Sequence, residues 1–146
     1  MQPVKIINGK IITPQRIING GTIIIVGDKI AEVSERRLEI IDAVEIDANG
    51  NYVAPGFIDI HVHGGAGYDF MDATETAFLE IAMLHAKYGT TAFLPTTLSS
   101  SKEEMLKTLE AYESAKEKNV GGSQFLGMHL EGPYFAMSQR GAQDPR

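Results

Sequence analysis

The chain has 146 residues, no cysteine and a formal net charge of -6. That length is enough for one domain with a core of its own, the lack of cysteine excludes disulfides, a thiolate nucleophile and a cysteine-built zinc site, and the acidic balance argues against a nucleic-acid surface. No apolar run reaches the roughly 18 residues of a membrane span, and Met1–Lys5 lacks the charged start and apolar core of a signal peptide, so no membrane association and a cytoplasmic location are expected.

Residues 4 to 54 read as short strands joined by turns. Val4–Ile7 and Lys10–Thr13 flank Asn8-Gly9, a pair that tolerates the positive φ of a two-residue hairpin. Thr22–Val26 and Lys29–Val33 flank Gly27-Asp28 in the same way, and Val44–Asp47 reaches Tyr52–Ala54 through Asn49-Gly50. Pro14 and the cluster Asn19-Gly20-Gly21 break the runs between them. β-Branched residues dominate, and helical periodicity is confined to a weak patch from Ser34 to Ile41. The expectation is a small antiparallel sheet or part of a sandwich, without obvious chemistry.

The pattern changes after Ala54. Pro55-Gly56 leads into a strand over 57–63, whose Phe57, Ile58 and Ile60 should be buried. A helix from about Ala73 to Tyr88 follows, with Asp72 and Glu75 spaced as a capping box and Gly89 as its stop. Phe78, Ile81, His85 and Tyr88 share one face of it, which makes His85 a packed histidine at the edge of the core. Thr91–Pro95 reads as the next strand. Ser101 and Glu104 cap a second helix running to Asn119, with Met105, Leu109, Tyr112 and Lys116 on one face and Leu106 and Ala115 widening the apolar stripe. Gly121-Gly122 ends it, and Gln124–Leu130 is a third strand. Strands alternating with helices at this spacing predict a parallel sheet with right-handed crossovers, and in such folds the chemistry gathers where the strands end.

The polar residues follow that rule. His61 and His63 end the first strand, Thr96 and Thr97 the second, His129 and Glu131 the third. Residues two apart in a strand face one side, so both imidazoles can reach one point, with Asp59 on the same row. Two imidazoles and the Glu131 carboxylate are a donor set for a divalent ion. His129 can be a ligand, a neighbour of one, or a substrate contact, and Asp59 can orient a ligand imidazole through its other ring nitrogen. A divalent ion with open positions makes hydroxide available near neutral pH and polarises a carbonyl, which suits hydrolysis of an amide or related C–N bond. The donors accept zinc, iron, manganese or cobalt with modest preference. No serine or cysteine nucleophile pattern and no Walker motif is present.

Three runs together, Pro-Gly-Phe-Ile-Asp-Ile-His-Val-His-Gly at 55–64, Gly-Thr-Thr-Ala-Phe-Leu-Pro-Thr at 89–96 and His-Leu-Glu-Gly-Pro-Tyr at 129–134, resemble the N-acetylglucosamine-6-phosphate deacetylases of the amidohydrolase superfamily. Arg140-Gly141-Ala142-Gln143 narrows the resemblance from the superfamily to that family. It implies an α/β fold: the start of a TIM-like (β/α)8 barrel over 55–146, preceded over 1–54 by the N-terminal part of a small β-sandwich domain. It also implies metal-dependent hydrolysis of N-acetylglucosamine 6-phosphate to glucosamine 6-phosphate and acetate in amino-sugar catabolism, in a homodimer when full length. Glu131 matches the family's metal ligand, His61 and His63 match a pair that holds a further metal in some members, and Ala142 and Gln143 fall where the family contacts the sugar. The divalent ions would number one or two. A complete barrel needs about 250 residues, so the barrel is expected to be incomplete here, with the family's catalytic aspartate beyond Arg146 and these residues inactive alone. Two other readings stay open: a different C–N hydrolase of the dihydroorotase or hydantoinase kind, and a non-catalytic metal-binding module.

Overall fold

The computed structural model describes residues 2–143. The chain divides between Pro55 and Gly56 into two compact units.

The first unit is a five-stranded sheet. Its strands are β1 (Val4–Ile12), β2 (Ile17–Val26), β3 (Lys29–Ser34), β4 (Val44–Asp47) and β5 (Tyr52–Val53), in the order β3-β2-β1-β4 with β5 also on β1. Gly27-Asp28 forms the expected hairpin, pairing Val26 with Lys29. Asn8-Gly9 does not form one. β1 runs straight through it, and the register against β2 shifts between Ile6 and Gly9. A two-residue hairpin needs positive φ at both central residues of its commonest form, whereas here only Asn8 turns left-handed (φ 57°), which gives a bulge. Asn19-Gly20-Gly21 likewise lies inside β2 and does not break it: a Cβ on Gly21 would fall 2.4 Å from the Ser34 carbonyl oxygen, so glycine lets the strands close there. β4 and β5 are not partners of each other. Both run parallel to β1, joined by a turn over 48–51, so the sheet is mixed and not antiparallel. The patch over 34–41 forms no helix; its Leu38 N–H donates to the Thr22 hydroxyl. Lys5 is buried in this unit, and Glu45 at 2.8 Å and Glu39 at 3.4 Å supply the countercharge that burial demands.

The second unit is built on three parallel strands in the order β10-β9-β6: β6 (Phe57–Val62), β9 (Thr90–Pro95) and β10 (Gln124–Phe125). A two-stranded ribbon, β7 (Gly64–Gly65) with β8 (Tyr68–Asp69), follows β6 and leads into a short 3-10 helix, Phe70–Asp72. Helix α1 (Glu75–Lys87) separates β6 from β9, and α2 (Lys102–Lys118) separates β9 from β10. Phe70, Phe78, Ile81, Ala82, Phe93, Tyr112, Ala115 and Phe125 form the core, which places both helices over β9 and β10. Glu75 ties α1 to α2 by accepting from Ser114 at 2.5 Å and Lys118 at 2.7 Å.

Several expectations for this unit need correction. The capping box before α1 joins Asp69 to Asp72 on the 3-10 helix, and Thr74 is the N-cap of α1 itself. Ser101 and Glu104 do form the predicted box on α2. Phe57, Ile58 and Ile60 are exposed (69%, 63% and 68%) and not buried. β6 is an edge strand among the described residues, and the strand residues in the buried core beneath the helices, Phe93 and Phe125, belong to β9 and β10, so an apolar run alone did not fix burial. Tyr88 and Leu106, placed on packed faces, are also exposed. The third strand is shorter than 124–130: regular pairing stops at Phe125, Gly127 takes a φ of 147°, and contact resumes as a single bridge between Thr96 and His129.

Candidate metal centre

His61, at the end of β6, and His63, just beyond it, meet Glu131 from the segment after β10. The His61 and His63 Nε2 atoms lie 3.1 Å apart, and each is 3.2 Å from Glu131 Oε2. These three residues form the cluster of potential metal donors found among the described residues. The triangle exists because parallel strands bring their ends to one rim. Thr96 N–H donates to the Val62 carbonyl at 2.9 Å, and the His129 and Thr97 N–H groups bond to the Pro95 and His129 carbonyls at 2.9 and 3.0 Å. Those bonds tie the end of β9 to both flanking segments.

Which way each imidazole points is legible for His63. Its Nδ1 lies 3.2 Å from the Thr96 carbonyl oxygen. A carbonyl only accepts, so in the neutral ring Nδ1 carries the proton and Nε2 presents its lone pair to the triangle. Glu131 Oε2 is buried and receives no hydrogen bond, despite its nearness to two nitrogens. The His63 Nε2 lone pair and the Glu131 carboxylate thus converge on one space, an arrangement that a cation there would stabilise. Ligands held about 2.0–2.2 Å from one centre lie about 2.8–3.1 Å apart at octahedral angles and about 3.3–3.6 Å apart at tetrahedral ones, and the spacings of 3.1 and 3.2 Å here fall between them. The residues present therefore fit a divalent ion.

The other candidates take different places. Asp59 lies next to a shift in the β6–β9 register, between Asp59 and Val62, and no bond from it to a ring nitrogen is present among the described residues. Its Oδ1 accepts from the His61 backbone N–H at 3.0 Å, so it braces the main chain at that shift; the group facing the outer nitrogen of His63 is the Thr96 carbonyl. His129 lies edge-on to His61, with ring centroids 4.8 Å apart, and its buried Nδ1 has no partner among the described residues. His85 has the packed role expected of it, against Phe93 at 5.3 Å and with Nε2 3.3 Å from the Gly64 carbonyl.

Ala142 and Gln143 line a pocket of about 440 Å³ together with Met71, Leu98, Ser99, Ser100 and Arg140. Gln143 is buried and its side-chain oxygen accepts from Ser99 N–H at 2.8 Å, while Arg140 donates to the Gln143 carbonyl. This pocket is walled by none of the three metal donors. Sequence reasoning placed Thr96 at the end of the second strand without giving it a task, and it did not single out Ser99, whose buried hydroxyl has no partner among the described residues. The position of Thr96 was visible in the sequence; its contacts were not.

No family model matches the chain. Among curated relatives, the N-acetylglucosamine-6-phosphate deacetylase of Bacillus subtilis is 36% identical over 137 residues, covering 91% of this chain and 35% of the relative. The N-acetylgalactosamine-6-phosphate deacetylase of Escherichia coli O157:H7 is 33% identical over 117 residues, covering 80% of this chain and 31% of the relative. The crystal structure of the N-acetylglucosamine-6-phosphate deacetylase from Pasteurella multocida matches with a TM-score of 0.86 at 27% identity, over 98% of this chain and 38% of that one. The chain thus spans about a third of the length of the curated relatives it matches.

Proposed function

We propose that this chain, similar over nearly its whole length to the N-terminal third of N-acetylglucosamine-6-phosphate deacetylases, supplies the metal-holding part of such an enzyme. The observation that carries the reading is the triangle of His61, His63 and Glu131, with a buried carboxylate oxygen left without a donor. These residues would hold one divalent ion, zinc, iron, manganese or cobalt, and could share a second with groups from elsewhere in the protein. Bound there, the ion would acidify a water and polarise the acetamide carbonyl of the substrate.

The chain's own residues have separable tasks in this reading. His61, His63 and Glu131 fix the ion. His129, beside His61 with a free buried nitrogen, faces the same rim and can contact substrate or water. Ala142 and Gln143 border the sugar. Because Gln143 spends its side-chain oxygen on Ser99, it has its amide N–H groups to offer to hydroxyls. Three donors hold an ion but do not also move the protons of amide cleavage. Turnover therefore belongs to a protein carrying more of the relatives' length, acting in the cytoplasm and as a homodimer, and residues 1–146 alone are expected not to release acetate.

The sugar 6-phosphate class rests on the relatives, two of which differ in the sugar named, glucosamine or galactosamine. The test is acetate release from N-acetylglucosamine 6-phosphate and its galactosamine counterpart by the longer protein. Loss of activity with a chelator, and with Glu131→Gln, supports the reading. Chelator-resistant turnover, or cleavage of cyclic amides in place of the sugar phosphates, would replace it with another hydrolase chemistry.

A further inference from the structure

The geometry points to Thr96 as the positioning residue of the metal centre, its hydroxyl pinning the end of β6 and its carbonyl selecting the His63 nitrogen that faces Glu131. The inference rests on the metal-site reading above and goes beyond it, because Thr96 supplies no ligand.

β6 and β9 pair as a parallel ladder, yet the register slips between Asp59 and Val62, immediately before His63 and across His61. At such a slip a ladder loses a regular partner, and a strand end is free to splay. Thr96 reinforces the ladder with its side chain where pairing resumes, at Val62. Its Oγ1 accepts from Val62 N–H at 3.1 Å and donates to the Leu94 carbonyl at 3.1 Å, so the hydroxyl uses both its capacities on backbone of two strands. Its own N–H donates to the Val62 carbonyl at 2.9 Å, so Val62 is held at both its polar groups by one residue. Val62 is the residue between the two histidines. Fixing its peptide groups fixes the directions in which His61 and His63 leave the chain.

The Thr96 carbonyl then receives His63 Nδ1–H at 3.2 Å, and in the segment after β10 His129 pairs with Thr96 in an isolated parallel bridge. One fully buried residue thus touches both neighbouring segments that deliver the site: it bonds to Val62 and the His63 ring on one side and pairs with His129, two residues before Glu131, on the other. A valine has nearly the same shape but would take away the hydroxyl that both Val62 N–H and the Leu94 carbonyl engage. Asp59 braces only the His61 amide, and the remaining described contacts leave the His63 ring no other hydrogen-bonding group at Nδ1.

The experiment titrates the chain with Co²⁺, read by its visible absorption, and with Zn²⁺ in competition with a chelating dye. Wild type, Thr96→Val, Thr96→Ser and a control, Thr108→Val, are compared. Thr108 is also fully buried and its hydroxyl donates to the Glu104 carbonyl, but it lies in α2 away from the histidines. Thr96→Val should weaken metal binding about 10–100-fold, as removal of groups that orient ligands does. Thr96→Ser should restore affinity to within about threefold, and Thr108→Val should leave it unchanged. Nitrogen-15 NMR of the metal-free wild type should show His63 protonated on Nδ1. Equal affinity in Thr96→Val and wild type, or equal loss in Thr96→Val and Thr108→Val, would overturn the inference while leaving the metal site intact. A wild-type chain that binds neither ion would instead overturn the metal-site reading on which it rests.

Discussion

Replacing Phe78 with alanine should destabilise the second unit more than any surface change. The side chain is fully buried, and its ring centroid lies 4.8 Å from that of Phe70 and 6.1 Å from those of Tyr112 and Phe125. It therefore bridges α2, the strand layer and the turn that follows the histidines. Truncating a buried phenylalanine costs about 3–5 kcal/mol, part lost transfer energy and part cavity. A unit of this size has a total stability of roughly 5–13 kcal/mol, so the loss is a large share of it. With a urea m value near 2 kcal/mol/M, the midpoint should fall by about 1.5–2.5 M. Near-ultraviolet circular dichroism reports it through the tyrosines, since the chain has no tryptophan. If the donor triangle binds metal, an ion at about 100 times its dissociation constant should return about 2.7 kcal/mol. A midpoint shift under about 0.5 M, with m unchanged, would refute the claim that this aromatic cluster holds the site's scaffold.

Ser101→Ala should cost about 1 kcal/mol, because its hydroxyl caps the Glu104 N–H at the start of α2. Ser101→Asp should recover most of that in the same urea titration. Glu75 gives a pH prediction. The Lys118 ammonium and the Ser114 hydroxyl hold its carboxyl below the usual value near 4.5, so its contribution is complete above that value and is lost as pH falls through the lowered one. Glu75→Gln should thus be less stable than wild type at pH 7, with the two converging in acid; a gap constant down to pH 3 would contradict the assigned clamp.

Much of the second unit was legible because its signals are local and mutually consistent. Two helices with capping residues, separated by short apolar runs that end in polar groups, lead to parallel strands and a shared rim, and His61, His63 and Glu131 do meet there. The failures arise where partners decide. Asn8-Gly9 has the composition of a turn, but β1 has neighbours on both sides, and the same left-handed asparagine makes a bulge within a continuous strand. Ile58 and Ile60 read as core because they are apolar, yet burial depends on what lies against the sheet. Asp59 read as a brace for a ligand ring, whereas the bond its carboxylate makes is to the His61 main-chain N–H, a local contact beside the register shift. Thr96 works through its carbonyl and a hydroxyl turned onto backbone, contacts that no residue pattern announces.

The central claim is tested most directly by calorimetric titration of the chain with Zn²⁺, comparing wild type with Glu131→Gln and with His61→Asn/His63→Asn. One ion should bind per chain through these residues, with affinity reduced at least about 10-fold by the glutamine, which keeps the shape of the carboxylate but removes its charge. Stoichiometric binding that survives both variants would place the metal elsewhere and contradict the account.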